Sequence, residues 1–236
     1  MAPVADVVIV VDVLRFTSAV SAALESGSAV LPYPWEHSEA ETYAAEHGAV
    51  VAGRREDGDL SLSPTDLLTM APGTRLVLPS PNGATLSFSA RDLGAKRVLA
   101  GCLRNATATG RFARAVAGRH GVIAVISAGE RWGETSGPIR PAFEDLIGAG
   151  AILAAIDPSG AVGDPRCSPE AGVARVAFQF ARPRLFDHLS TCGSGRELIH
   201  RGWEDDVATS AAHDVTDVVA ELVGEAFVPA DQRVAC

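Results

Sequence analysis

Apolar and polar positions along this chain follow two alternating rhythms. Six short, largely aliphatic stretches recur: Val7–Val11, Ala29–Tyr33, Ala49–Ala52, Arg75–Leu78, Arg97–Ala100 and Val122–Ser127. Between and after them, small and apolar residues recur at helical spacing over Thr17–Glu25, Glu36–His47, Ala84–Arg91, Asn105–Ala117 and Pro141–Ile156. Short apolar runs of this kind predict buried strands, and the 3.6-residue rhythm predicts helices. Pro141 suits a helix start, because the first helical N–H has no partner within the helix. Repeated β-α alternation predicts an α/β fold, a mostly parallel sheet with helices on both faces.

The texture changes after residue 156. Asp157–Pro169 is rich in Gly, Pro and Ser and reads as a connection. Glu170–Ala181, Arg184–Leu189 and Ser194–Arg201 read as helices, and the acidic stretch Trp203–His213 as helical at its centre. Asp217–Val228 reads as a hairpin around Gly224-Glu225. The expected organisation is an α/β core over 1–156 and a mainly helical C-terminal third over 157–236. That third would form a lid or second layer, with its C-terminal strands packing on the core.

Polar groups fall just after the predicted strands. Asp12 and Arg15 follow the first, succeeded by the hydroxyl pair Thr17 and Ser18. Arg54 and Arg55 follow the third, and Ser80 and Asn82 follow the fourth in a tight Ser80-Pro81-Asn82-Gly83 turn. Asn105 follows the fifth strand, and Glu130 and Arg131 the sixth. If the strands run parallel, these groups share the edge where open α/β sheets bind ligands. An acid beside an Arg suits a metal ion and an anionic substrate. A plainer reading also stands: Asp12 caps the next helix and pairs with Arg15, while the asparagines serve a turn and a cap. Glu144 and Asp145 open the last core helix, where they suit its dipole as well as a site. Asp205 and Asp206 read as part of a solvated acidic face.

Composition removes several function classes. The 236 residues suffice for one large α/β domain or two small ones. A net charge of -9 without a basic cluster argues against nucleic acid as a partner. No apolar run approaches the roughly 18–20 residues of a membrane helix. Asp6 and Asp12 interrupt the first apolar stretch, unlike a signal peptide. Cys102, Cys167, Cys192 and Cys236 lack metal-ligand spacing, and reduced thiols in a cytoplasmic protein are expected. Lys96 is the sole lysine, no phosphate loop, G-x-S-x-G elbow, H-x-H or H-E-x-x-H motif occurs, and the first strand does not end in a D-x-D pair, since Val13 and Leu14 follow Asp12.

An ordered set of motifs resembles one family. Asp12-Val13-Leu14-Arg15-Phe16-Thr17-Ser18 resembles the D-V-L-R-A-T-[ST] opening of the 2-phosphosulfolactate phosphatase (ComB) family. Gly53-Arg54-Arg55 resembles its G-E-R, Asp59-Leu60-Ser61-Leu62-Ser63-Pro64 its D-L-G-N-S-P, and Ser80-Pro81-Asn82-Gly83-Ala84 its T-T-N-G-T. Gly129-Glu130, Phe143-Glu144-Asp145, Gly148–Ile152, Ser194–Leu198, Asp205-Asp206-Val207 and Asp214–Val219 follow in the family's order.

The resemblance implies a Mg²⁺-dependent phosphatase acting on a small anionic phospho-acid, with 2-phosphosulfolactate giving sulfolactate and phosphate. It implies Asp12, Glu130, Glu144 and Asp145 as metal ligands or general base. Arg15 becomes a phosphate-gripping catalytic group, and Arg54, Ser80, Asn82 and Gly83 become substrate contacts. Arg54, Leu62 and Pro81 depart from the pattern. They leave open a family member that is catalytically weak or shifted in substrate, binding an anionic metabolite or a protein partner. Homo-oligomerisation is also left open.

Overall fold

The computed structural model describes residues 5–34, 37–55, 60–132, 137–159 and 166–235. Asp59, in the stretch resembling D-L-G-N-S-P, lies outside them. In chain order the first half runs β1 Val7–Val11, α1 Phe16–Glu25, β2 Ala29–Tyr33, α2 His37–Glu46, β3 Val50–Val51, α3 Pro64–Leu67, β4 Arg75–Pro79 and α4 Gly83–Asp92. It continues through β5 Arg97–Gly101, α5 Ala106–Ala117, β6 Ile123–Ser127, a small ribbon of β7 Glu130–Arg131 and β8 Ile139–Arg140, and α6 Phe143–Ile156. Then come α7 Pro169–Ala181, α8 Leu185–Thr191, α9 Gly193–His200, α10 Glu204–Ala211, β9 Ala220–Val223 and β10 Ala226–Pro229. The predicted elements are present, with α3 and the β7–β8 ribbon in addition.

The main sheet has the order β3-β4-β2-β10-β9-β5-β1-β6. It is mostly parallel: β1 pairs in parallel with β5 and β6, and β4 with β2 and β3. The C-terminal hairpin enters the middle, antiparallel to β5 on one side and β2 on the other. Three successive antiparallel steps therefore reverse the β2-β4-β3 trio relative to β5-β1-β6. This corrects the expectation that every strand ends on one edge of a continuous parallel sheet. Sheet twist offsets the reversal. At roughly 20–25° per strand, the five steps from β4 to β1 turn the two trios far from antiparallel.

Side-chain alternation explains the layers. Val7, Ile9 and Val11 of β1 pack with Phe112 and Ala113 of α5 and with Ile147 and Ile152 of α6. Val8 and Val10 point the other way, against Ala90 of α4. In the other trio, Val30, Leu76 and Leu78 meet α1, whereas Leu31, Tyr33 and Val77 meet α2. Helices thus cover both faces.

Two glycines set the height of α6. A Cβ at Gly148 would lie 2.6 Å from Val13 Cγ2, and one at Gly150 would lie 2.0 Å from the Ala174 carbonyl oxygen. Without side chains there, α6 packs closely between the end of β1 and α7. That contact delivers Glu144 and Asp145 to the strand ends. Among the described residues, no helix is long and apolar enough to cross a membrane.

Candidate active site

The loop between β1 and α1 is tied down by its own hydroxyls. Thr17 Oγ1 donates to the Asp12 carbonyl at 2.8 Å, and Ser18 Oγ donates to the Val13 carbonyl at 2.8 Å. The Asp12 side chain accepts the Phe16 N–H at 3.2 Å, so Asp12 does cap α1. Only one of its oxygens is used there, and the residue is buried.

Three further carboxylates surround this end of the sheet. Asp145 accepts the Val13 N–H at 2.8 Å with one oxygen and the Gly129 N–H at 2.9 Å with the other, joining the loops after β1 and β6. Glu144 is buried beside it and accepts from the Cys192 thiol at 3.3 Å. Glu130 accepts from the Asn82 amide at 3.1 Å. Burial, and then the Glu130 and Glu144 charges, push Asp12 up to about 7. Burial, together with Asp12 and Glu144, also holds Asp145 well above the usual carboxylate range. Cys192 is pushed up to about 12 by burial and Glu144, so it stays a neutral donor and not a nucleophile.

Among the described residues, none of these four carboxylates has a basic side chain paired to it. Buried like charges without a counter-ion favour protons or a cation. The donor set consists of hard oxygens, which suits Mg²⁺. Among the described residues no three His, Cys, Asp or Glu side chains form a ready cage.

The Ser80–Gly83 turn reaches the same place. Asn82 opens α4 without capping it and turns its amide to Glu130. Ser80 Oγ accepts the Gly83 N–H at 3.2 Å, stabilising the turn. Gly83 lies so close to α1 that a Cβ would fall 2.1 Å from the Phe16 ring. Asp12, Asn82 and Glu130 therefore share one cleft, although β4 belongs to the reversed trio. Asn105 has a different part: fully buried, it accepts the Cys102 N–H at 3.0 Å and donates to the Val218 carbonyl at 3.2 Å.

Arg15 does not pair with Asp12. Its guanidinium donates to Asp206 at 2.6 Å and lies 4.5 Å from the Trp203 ring centroid. Asp206 is fully buried, is ion-paired to Arg55 at 3.1 Å and accepts from Ser63 Oγ. This corrects the reading of Asp205-Asp206 as a solvated face. Asp205 fits it in part, being half exposed and bonded to Arg55 at 2.7 Å. Arg54 is exposed and has no polar partner among the described residues, whereas Arg55 enters the cluster.

A family model described as 2-phosphosulpholactate phosphatase matches residues 2–225. The chain belongs to this family. A probable 2-phosphosulfolactate phosphatase of Thermus thermophilus is 32% identical over 94% of this chain and 92% of its own length. The 2-phosphosulfolactate phosphatase of Methanothermobacter thermautotrophicus is 31% identical over 88% of this chain and 83% of its own length. The resemblance read from the motifs is borne out.

The family's scattered motifs now acquire a common geometry. The opening motif supplies Asp12 and Arg15, the G-E-R-like segment Arg55, the S-P segment Ser63, and the D-D-V segment Asp206. The last four meet at one buried carboxylate. Sequence reasoning missed Arg55 and Asp206 because it chose the first Arg of a pair and treated an acidic run as surface. The family's G-E-R pattern held the signal, since Arg55 is its matching arginine.

The carboxylate cluster predicts how stability changes with pH. Folded Asp12 holds its proton up to about 7, against an ordinary value of 3.8. Between those values the folded state binds more protons than the unfolded chain, so stability falls as pH rises. Asp145 acts in the same direction. Asp6, Asp157 and Asp205 are lowered and lose their contributions only on acidification below their ordinary value. His47, raised chiefly by its bond to the Tyr43 carbonyl, adds a smaller fall near neutrality. In chelator, Tm should drop by several degrees from pH 5 to pH 8, and Asp12→Asn should remove most of that slope. A wild-type profile that stays flat over this range contradicts the account.

Proposed function

We propose that this protein is a Mg²⁺-dependent phosphatase that hydrolyses a small phosphorylated organic acid, with 2-phosphosulfolactate as the substrate. The carrying observation is a set of carboxylates without a basic partner among the described residues, the buried Asp12, Glu144 and Asp145 with the half-buried Glu130, in a chain whose Arg15, three residues after Asp12, is fixed by Asp206. The names of the related proteins support the substrate assignment.

Asp12, Glu130 and Glu144 would hold the ion. When bound, Mg²⁺ offsets charge on the phosphoryl oxygens and lowers the pKa of a bound water. Asp145 is tied by both oxygens to backbone and fixes the spacing of the loops after β1 and β6. Asn82 orients Glu130 through its amide. Arg15 binds phosphoryl oxygens through its outward N–H groups, while Asp206 and Trp203 hold its plane.

The test is a panel of phospho-acids assayed with Mg²⁺ and with chelator. Phosphate release from 2-phosphosulfolactate, lost in chelator and restored by Mg²⁺, supports the proposal. Release that ignores chelator overturns the metal assignment, and release only from other phospho-acids moves the substrate.

Arg15→Lys adds a sharper test. It keeps the charge and loses the fork geometry, so phosphate release should fall about a hundredfold, the 2–3 kcal/mol scale of a charge-assisted pair. Mg²⁺ binding should persist. An active but less stable variant would make Arg15 only a strut for Asp206.

A further inference from the structure

Helix α7 is apolar on two opposite faces. Ala174, Phe178 and Ala181 are buried against the core. Val173, Val176 and Phe180 lie on the other side and are 63%, 61% and 71% exposed. With Pro169 and Pro183 they are spaced by four, three, four and three residues, the seam of a coiled coil over two heptads. We propose that this stripe is the contact between two copies of the chain, which pair α7 against α7 in antiparallel order about a two-fold axis at Ala177. None of these side chains belongs to the carboxylate cleft, so the pairing stands apart from the phosphatase reading.

A surface helix ordinarily carries one apolar stripe, and a helix apolar on both faces is covered on both. The outer stripe exposes roughly 300–400 Å² of apolar surface, the size of the largest patch on a typical monomer. The Phe180 ring is propped against His188 of α8, with centroids 5.1 Å apart, and stays outward.

The charges beside the stripe identify its occupant. Glu170, Ala177 and Arg184 recur every seven residues and so share one edge of the helix. Arg184 closes a 3₁₀ turn, Arg182–Arg184, which continues α7 with helical angles at Arg182. The edge is acidic at its start, small at its centre and basic at its end. Turned end for end, it complements itself. A two-fold axis at Ala177 sets Glu170 of each copy opposite the partner's Arg184, and the pair forms twice. A parallel arrangement would oppose like charges. Glu170 is exposed, and Arg184 reaches only Asp187 at 2.7 Å, an exposed pair that is readily exchanged.

Space and area agree with this occupant. On the opposite edge of the stripe a Cβ at Gly172 would meet nothing within 4 Å, so a second helix can approach closely. The charged edges bring the covered area toward the roughly 800 Å² per partner of standard interfaces. Contacts of one patch with its own copy are the commonest route to soluble oligomers.

The experiment is sedimentation equilibrium on the full chain from about 1 to 100 µM, a range that brackets micromolar association. Wild-type protein should pass from one to two chain masses within it. Val176→Glu replaces an exposed residue and should leave the fold and its circular dichroism intact. It places two carboxylates near the axis and should weaken dimerisation about a hundredfold or more. Arg184→Glu and Glu170→Arg, made singly, each turn two attractive pairs into two repulsive ones and should weaken it about tenfold. Combined in one chain, the two exchanges should restore wild-type association to within about twofold.

Wild-type protein that stays monomeric to about 100 µM overturns the proposal. So does a dimer unchanged by Val176→Glu, which would use another face. A dimer broken by Val176→Glu but indifferent to the charge exchanges, or not restored by the double exchange, overturns the antiparallel order. A monomer that sediments with phosphatidylglycerol vesicles gives the stripe to a membrane surface instead.

Discussion

Asp12→Asn should give a folded protein whose Mg²⁺-dependent phosphate release is about 10²–10⁴-fold slower, the scale of losing several kcal/mol of metal-borne charge stabilisation. The same change should raise stability at pH 8 in chelator. Both effects follow from the environment of one side chain. Asp12 is buried, and its charge is opposed by Glu130 and Glu144. The amide oxygen of Asn can still accept the Phe16 N–H that Asp12 now receives at 3.2 Å, so the start of α1 survives. What disappears is the charge, which costs stability without a cation and is needed with one. Phosphate assays and melting curves on one preparation separate the roles. Unchanged phosphate release would reduce Asp12 to the cap of α1.

Much of this site was legible in the chain because strand ends are easy to find. Val7–Val11 is apolar throughout and stops at a carboxylate, which marks both the strand and the place where it leaves the core. The same logic found Glu130 after β6 and the turn holding Asn82. The direction of the strands was not legible. Nothing in Ala29–Tyr33 or Arg75–Leu78 tells that β9 and β10 will pair between β5 and β2, because a hairpin's register is local whereas its place in a sheet is set by distant partners. Asn82 reached the cleft for a reason other than the expected one: the twisted sheet and the Gly83–Phe16 contact bring α4 over α1. Surface and interior were also confused at Asp206. An acidic run has the composition of a solvated face, and only the packing of α10 against α3 shows that its last acid turns inward while Asp205 stays at the rim. The short helix α3 escaped for a related reason, since four residues carry too little periodicity to be read.

Asp206 is where the largest stability effect is expected. It is fully buried, accepts from Arg15 and Ser63 Oγ, and is ion-paired to Arg55. Breaking a buried ion pair by removing one partner typically costs about 3–5 kcal/mol, because the other charge stays buried and uncompensated. Arg55 keeps Asp205 at 2.7 Å and Asp66 at 3.4 Å, but among the described residues Arg15 retains only the Trp203 ring. The loss therefore falls mainly on Arg15. Asp206→Asn should lower Tm by roughly 6–12 °C, taking 2–4 °C per kcal/mol for a chain of this size and a cost at the lower end of that range. It should also raise KM for the phospho-acid, because an unheld guanidinium must be ordered by the substrate itself. Asp205→Asn is the matched control. Its side chain is half exposed, and a surface pair of that kind contributes about 0–1 kcal/mol. Two adjacent aspartates, changed in the same way, should thus differ severalfold in their effect on Tm and differ in kind on KM. Equal effects would mean that Arg15 is positioned by the backbone of its loop, and that Asp206 serves only to neutralise the arginines.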